Sequence, residues 1–275
     1  MRNPPPKTVS AFTVVELFAI VATLALFAAM LFPALARTKA SVKRIDCSDN
    51  LKQIGLAFQS FAVDHGDAFP MRVTTANGGY ANYIGLKVVS TSQSTSRGVF
   101  GFFLVMSNYL ASPKLLICPA ENEGRFAATT FSGIILAGST NAIPLTNDLN
   151  TSYFVGVDAV NTYPNMFLAG DHNLGSDGNL TPLRAFVTPP VGPYSPDFKV
   201  SLGTNFAPNA GVGWLNTMHS KQGNVVMADC SVQQFNRAHL QQELQNSGDP
   251  GSSSTPVFSS PPGCSGVGVN RIQFP

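Results

Sequence analysis

Two side chains that could exchange a proton or share a metal stand ten positions apart in His219-Ser-Lys-Gln-Gly-Asn-Val-Val-Met-Ala-Asp229. An imidazole and a carboxylate are the usual parts of an acid/base pair. No third ligand lies at a usual metal spacing from them. The reading the sequence favours is structural: His219 hydrogen-bonds near a hairpin turn and Asp229 caps it. A second candidate is Asp171-His-Asn173-Leu-Gly-Ser-Asp177, where Asp171, Asn173 and Asp177 set oxygen-bearing side chains at near-alternate positions. Calcium favours such loops, although the glycine and terminal glutamate of an EF-hand loop are missing. Four cysteines, Cys47, Cys118, Cys230 and Cys264, allow two disulfides in an oxidising compartment or a set of buried thiols. Their spacing lacks the paired C-x-x-C of a structural zinc site. No G-x-S-x-G elbow, P-loop or G-x-G-x-x-G occurs. No catalytic residue is assigned, and the chain is expected not to be an enzyme. Trp214, the only tryptophan, reads as a core or domain-edge aromatic and not as a ligand platform.

The remaining chemically pointed residue is Glu16, a lone carboxylate before an uncharged run from Leu17 to Ala36. At about 1.5 Å per residue, that run is a helix as long as a bilayer is thick. An ionisable group at such depth is a functional-site hypothesis by default. Helical patterning continues past Arg37: Val42, Ile45, Leu51, Ile54, Phe58 and Phe61 recur mostly at three- and four-residue steps. Gly66 offers a C-terminal stop. One helix of about fifty residues follows, apolar all round at first and one-sided later. Pro33 should kink or locally melt its first half. Two other readings compete. Arg2 and Lys7, an apolar core and Ala34-Leu35-Ala36 make a secretory signal; alternatively the run is a plain anchor. Arg37, Lys39, Lys43 and Arg44 after the run would by charge alone favour a cytoplasmic C-terminal side. The cysteines point to export instead.

Beyond residue 65 about 210 residues remain, enough for one core. Val99–Leu110 reads as a helix and Leu115–Pro119 as a short strand. Ser152–Val157 and Met166–Ala169 read as strands. Asn224–Ala228 and Ser231–Phe235 form a hairpin around Asp229-Cys230, and Arg237–Gln245 forms a closing helix. Residues 248–275, rich in Ser, Pro and Gly, read as an irregular tail. A formal charge of +2 argues against nucleic acid as a partner.

Phe12-Thr13-Val14-Val15-Glu16 followed by an apolar helix with Pro33 resembles the class III signal of type IV pilins and type II secretion pseudopilins. Counted from Phe12, Glu16 is fifth and Pro33 twenty-second, as in that family. The residue before the cut is usually Gly and here is Ala11, also small. The resemblance extends to one subgroup with a C-terminal His-x9-Asp-Gly element, matched by His219 to Asp229 with Cys230 in place of Gly. Cys47-Ser-Asp-Asn-Leu-Lys-Gln-Ile-Gly-Leu, Ile117-Cys118-Pro119 and Gly170-Asp171-His172-Asn173 are similar to that subgroup too. An Asp-Gly turn often needs positive φ at its second residue, which cysteine tolerates poorly. A different turn type, or a Cys230–Cys264 disulfide, would accommodate it. Cys47–Cys118 would then remain, among three possible connectivities.

The fold implied is α+β, a long N-terminal helix as a pilin-like stalk packed on a β-rich C-terminal domain. Its parts are a leader (1–11), a transmembrane and assembly half-helix (12–36), an amphipathic half (37–65), a globular domain (66–247) and the tail (248–275). The function implied is that of a filament subunit, cut between Ala11 and Phe12 by a prepilin peptidase that methylates the new amine. Glu16 would neutralise that amine on a neighbouring copy, and Pro33 would permit local stretching. Partners would be the peptidase, other copies and related pseudopilins, an inner-membrane assembly platform and the membrane. The protein would cross the inner membrane once, with its C-terminal domain in the periplasm or outside. No cofactor is implied, calcium being the one candidate. An anchored module binding an envelope glycan, and a hydrolase released after Ala36, are the alternatives from other classes.

Overall fold

The computed structural model describes residues 13–84, 98–122, 124–131, 142–176, 181–182, 199–201, 213–247 and 271–275. The chain divides into two compact units, Met1–Val42 and Lys43–Pro275. Helix α1 runs from Val14 to Asp64, 51 residues. It opens on a reciprocal capping box. The Thr13 amide donates to Glu16 Oε2 at 2.9 Å, and the Glu16 amide donates to Thr13 Oγ1 at 3.3 Å. In the first unit Val14–Phe32 is long and apolar enough to cross a membrane, a test that a signal sequence also passes. The helix continues through Pro33, so the expected melting does not occur. One forfeited hydrogen bond does not outweigh the helix-forming Ala and Leu on either side.

In the second unit the helix is amphipathic. Cys47, Leu51, Ile54, Phe58 and Phe61 are buried at steps of three and four. Val42 and Ile45, expected to begin this stripe, are exposed, so it starts at Cys47. Gly66 adopts φ +66°, and the Asp67 amide donates to the Ala62 carbonyl at 2.8 Å, closing the end as expected. Helix α2 covers only Phe100–Val105 of the expected 99–110. The chain then continues in single turns to Leu110. The expected strand at 115–119 is instead a 3-10 turn, Pro113–Leu116. Ser112 caps it and proline stands at its first positions, where no amide is needed.

Among the described residues nine strands follow: β1 (Tyr153–Gly156), β2 (Phe167–Asp171), β3 (Leu174–Ser176), β4 (Thr181–Pro182), β5 (Lys199–Ser201), β6 (Gly213–Trp214), β7 (Gly223–Met227), β8 (Val232–Phe235) and β9 (Arg271–Gln273). Helix α3 (Arg237–Asn246) lies between the last two. Six strands form an antiparallel sheet in the order β5-β9-β1-β2-β7-β8, and β4-β3-β6 form a smaller one. The expected strands at 152–157 and 166–169, the hairpin and the closing helix are all present. The expected irregular tail contains β9, which lies between β5 and β1 with Ile272 and Phe274 buried. A three-residue strand beyond a Ser/Pro/Gly run offers no periodic signal to read.

The central strands β1, β2 and β7 are buried on both faces, which period-two alternation makes explicit. Tyr153, Val155 and Val226 belong to the core that includes Leu51, Ile54 and Phe58 of α1. Phe154, Val225 and Met227 belong to a second core with Trp214 and the α3 residues Leu240 and Leu244. The architecture is therefore α+β, and Trp214 is a core residue as expected.

Candidate metal centre

The pairing of β1 with β2 sets Tyr153 opposite Asp171. Tyr153 lies in the core formed with α1, so Asp171 shares that face, the one on which Cys47 begins the buried stripe. The Cys47 thiol donates to Asp171 Oδ1 at 3.0 Å and lies 3.4 Å from the Tyr153 hydroxyl. The neighbouring strand fixes the other carboxylate oxygen. Asn224 at the start of β7 donates to Asp171 Oδ2 from its backbone amide at 2.7 Å and its side-chain amide at 3.1 Å.

Cys118 arrives from the 3-10 turn. The Ser152 amide donates to Leu116 O at 2.8 Å, and Asn50 of α1 donates to Ile117 O at 3.3 Å, holding this segment between sheet and helix. His219 arrives from the loop between β6 and β7. The Asn173 side-chain amide donates to both Leu215 O and Gln222 O at 3.2 Å, clamping the two ends of that loop. Ser220 and Lys221 within it take positive φ, of 54° and 61°, a conformation costly for residues with a Cβ. The outcome is that His219 Nε2 stands 3.2 Å from Cys118 Sγ and 3.4 Å from Asp171 Oδ2.

Cys47, Cys118, Asp171 and His219 are all buried, and their ligand atoms lie within 4.8 Å of one another. Burial pushes the Asp171 carboxyl up to about 7, although hydrogen bonds from Cys47 and Asn224 and the Arg44 charge pull it down. Burial, and then Arg44, push the His219 imidazole down to about 4. Burial likewise raises the Cys47 thiol, aided by Cys118 and Asp171. At neutral pH the His219–Asp171 contact is thus a polar contact to a neutral imidazole, not an ion pair. Burial thus disfavours the charged forms of Cys47, Asp171 and His219. Two sulfurs, an imidazole nitrogen and a carboxylate oxygen converging on one point are also a donor set that could hold a divalent metal.

Several expected sites change in this light. His219 is no hairpin hydrogen-bonder; it is one wall of the cluster. Asp229 does cap the turn, accepting from the Ser231 amide at 2.8 Å. Cys230 takes φ +64° there, with its thiol 3.2 Å from the Gly55 carbonyl of α1. Cys47, Cys118 and Cys230 are free, so the Cys47–Cys118 disulfide is not formed. Cys264, and with it the proposed partner of Cys230, lies outside the described residues, as do Ala11, Phe12 and Asp177. Calcium is not supported. The cluster around Asp171 supplies sulfur and nitrogen where calcium needs six or more oxygens.

The sequence reading measured metal spacings along the chain and so missed a ligand set drawn from four distant segments. The signal available was the presence of Cys47, Cys118, Asp171 and His219 in the four segments singled out by the subgroup resemblance. Next to the cluster, His172 Nε2 lies 2.8 Å from Glu121 Oε2. The Ser152 hydroxyl donates to that same oxygen at 2.7 Å. Since the hydroxyl faces the carboxylate and not the imidazole, this buried trio is not arranged as an activated nucleophile.

No protein-family model, curated protein or solved structure matches this chain.

Proposed function

We propose that this protein is a membrane-inserted structural subunit of a type IV pilus-like or type II secretion-like filament. What supports the reading is one feature of α1. Leu17, Phe18, Ile20, Val21, Leu24, Leu26, Phe27, Met30, Leu31 and Phe32 are each at least 44% exposed in a helix that continues into the buried stripe of the second unit. Covering these side chains is worth on the order of 10–20 kcal/mol, which lipid or other helices would supply. A stalk that exchanges lipid for identical stalks satisfies that demand in both states. Its opening, Phe12 to Glu16, and Pro33 carry the family resemblance.

In this mechanism a prepilin peptidase cuts before Phe12 and the helix waits in the inner membrane with the second unit outside the cytoplasm. On assembly, Glu16 of one subunit leaves its own capping box and neutralises the Phe12 amine of a neighbour. An unpaired charge in a low-dielectric bundle is costly, so wrong axial registers are disfavoured. Mass spectrometry of the mature N-terminus of the natively expressed protein tests this. A chain beginning at N-methylated Phe12 is the expected result. A chain beginning at Arg37 would mean that signal peptidase had removed the helix, and the filament reading would fall.

A further inference from the structure

We propose that Cys47, Cys118, Asp171 and His219 bind one zinc ion in a closed structural site. The inference stands apart from the filament reading and would hold for the second unit whatever the fate of the first helix.

The four donors converge at separations close to those between the ligands of a tetrahedral zinc ion. Zinc bonds of about 2.0–2.3 Å imply ligand–ligand edges of roughly 3.3–3.8 Å. Cys118 Sγ and His219 Nε2 are 3.2 Å apart, Cys47 Sγ is 3.0 Å from Asp171 Oδ1 and His219 Nε2 is 3.4 Å from Asp171 Oδ2, while one ligand atom from each of the four residues lies within 4.8 Å of the others. Two thiolates with an imidazole and a carboxylate are borderline-soft donors, which suit zinc and exclude magnesium and calcium.

The surroundings are those of a metal site. The Asp171 oxygen beside His219 is held by two donors of Asn224, and the Ala120 amide donates to Cys118 Sγ at 3.4 Å. Such hydrogen bonds orient ligands and stabilise thiolate charge. Charge also balances. Two thiolates and one carboxylate carry three negative charges, zinc supplies two positive ones, and Arg44 supplies another. The Arg44 guanidinium is fastened to Gln222, three residues beyond His219, and acts electrostatically on both Asp171 and Cys47. On binding, the two thiol protons, and any on Asp171, leave to solvent. No redox step is involved.

Four protein ligands with no exposed face leave no open position for water or substrate, so the role is a staple and not catalysis. The staple joins α1, the 3-10 turn, the end of β2 and the loop before β7, none of which is adjacent in sequence. It also holds two thiols, 3.0 and 3.2 Å from other ligands, as zinc thiolates, protected from pairing in an oxidising compartment.

The test uses the full chain in detergent, purified without an affinity tag that binds metal. Elemental analysis should find about one zinc per chain. After exchange with cobalt(II), the wild-type chain should show tetrahedral d–d bands and thiolate-to-cobalt charge transfer. Cys47→Ser and Cys118→Ser should each remove roughly half of the charge-transfer intensity, in line with two sulfur ligands. Cys230→Ser should leave it unchanged. Because the wild-type cobalt spectrum is read first, a variant that misfolds does not decide the matter. A folded wild-type chain with neither zinc nor thiolate–cobalt absorption would overturn the proposal. So would a Cys47–Cys118 disulfide in non-reducing peptide mapping.

Discussion

Cys118 and His219, separated by 101 positions in sequence, meet with sulfur and imidazole nitrogen 3.2 Å apart. Neither reaches the other by a local turn. Cys118 is carried there by a 3-10 turn tied to β1, and His219 by a loop whose ends are fastened to the Asn173 amide. Asn173→Ala therefore removes a support without removing a ligand. Supports of this kind are typically worth 10–100-fold in metal affinity. Competition with a chromophoric zinc chelator should show a loss in that range, with stoichiometry retained at saturating zinc. Unchanged affinity would show that the loop holds His219 without the clamp.

Chelation should destabilise the second unit, because the ion binds the folded arrangement and not the open chain. With free zinc at a hundred times its dissociation constant, the stabilisation is about 2.7 kcal/mol. Adding a strong chelator should lower the thermal midpoint of the wild-type chain and of Cys230→Ser alike. His219→Ala should begin at the lower midpoint and not respond.

How far the sequence reached depended on whether a signal was local. The long helix, its closure at Gly66, the Asn224–Phe235 hairpin and the strands at 153 and 167 all announce themselves within a window of ten residues or so. The cluster of Cys47, Cys118, Asp171 and His219 does not. Its four residues sit at four points of the chain; the register that sets Tyr153 opposite Asp171 and the start of the buried stripe at Cys47 bring two of them together, and the tied 3-10 turn and the Asn173-clamped loop bring Cys118 and His219. Strand β9 was hidden for a related reason, since its three residues gain their meaning from β1 and β5 on either side. The apolar run at 115–119 was misread because Pro113 and the Ser112 cap turn it into a 3-10 element before a strand can form.

Asp148 is a fully buried carboxyl pushed up to about 7 by burial, against the pull of hydrogen bonds from the Phe100 and Val99 amides. The Phe100 amide donates to Oδ1 at 3.0 Å. A folded value above the unfolded one means that the native state holds the proton longer. Its contribution is fully present below about pH 4 and is lost as pH rises through about 7. The loss is on the order of 4 kcal/mol at most. Asp148→Asn cannot ionise, so the difference in urea midpoint between variant and wild type should move in the variant's favour between pH 5 and pH 8. A difference independent of pH would mean that Asp148 does not titrate in that window.

Cys230 occupies a left-handed backbone position, φ +64°, where a residue bearing a Cβ is strained by about 1–2 kcal/mol. Its thiol recovers part of that by donating to the Gly55 carbonyl at 3.2 Å. Cys230→Gly relieves the strain and forfeits the contact, so unfolding free energy should change by less than about 1 kcal/mol. Cys230→Val keeps the strain, adds β-branching and loses the donor, and should cost more than about 2 kcal/mol. Equal effects of the two substitutions would show that the turn adjusts its backbone freely.

Glu16 has two possible duties, and the capping box separates them. As the N3 residue of α1 it accepts from the Thr13 amide at 2.9 Å and from the Thr13 hydroxyl at 2.8 Å. A glutamine can close the same box, because a capping box accepts Gln as well as Glu. A glutamine cannot neutralise an amine on a neighbouring subunit. Glu16→Gln and Glu16→Ala should therefore both be processed and inserted, and both should fail to assemble, if the carboxylate sets axial register through its charge. A failure confined to Glu16→Ala would assign the residue to helix initiation alone. Normal filament yield from both variants would remove Glu16 from assembly altogether. The readout is the amount of sheared or cross-linked filament per cell at matched levels of membrane-inserted protein, so that a defect in processing is not counted as a defect in packing.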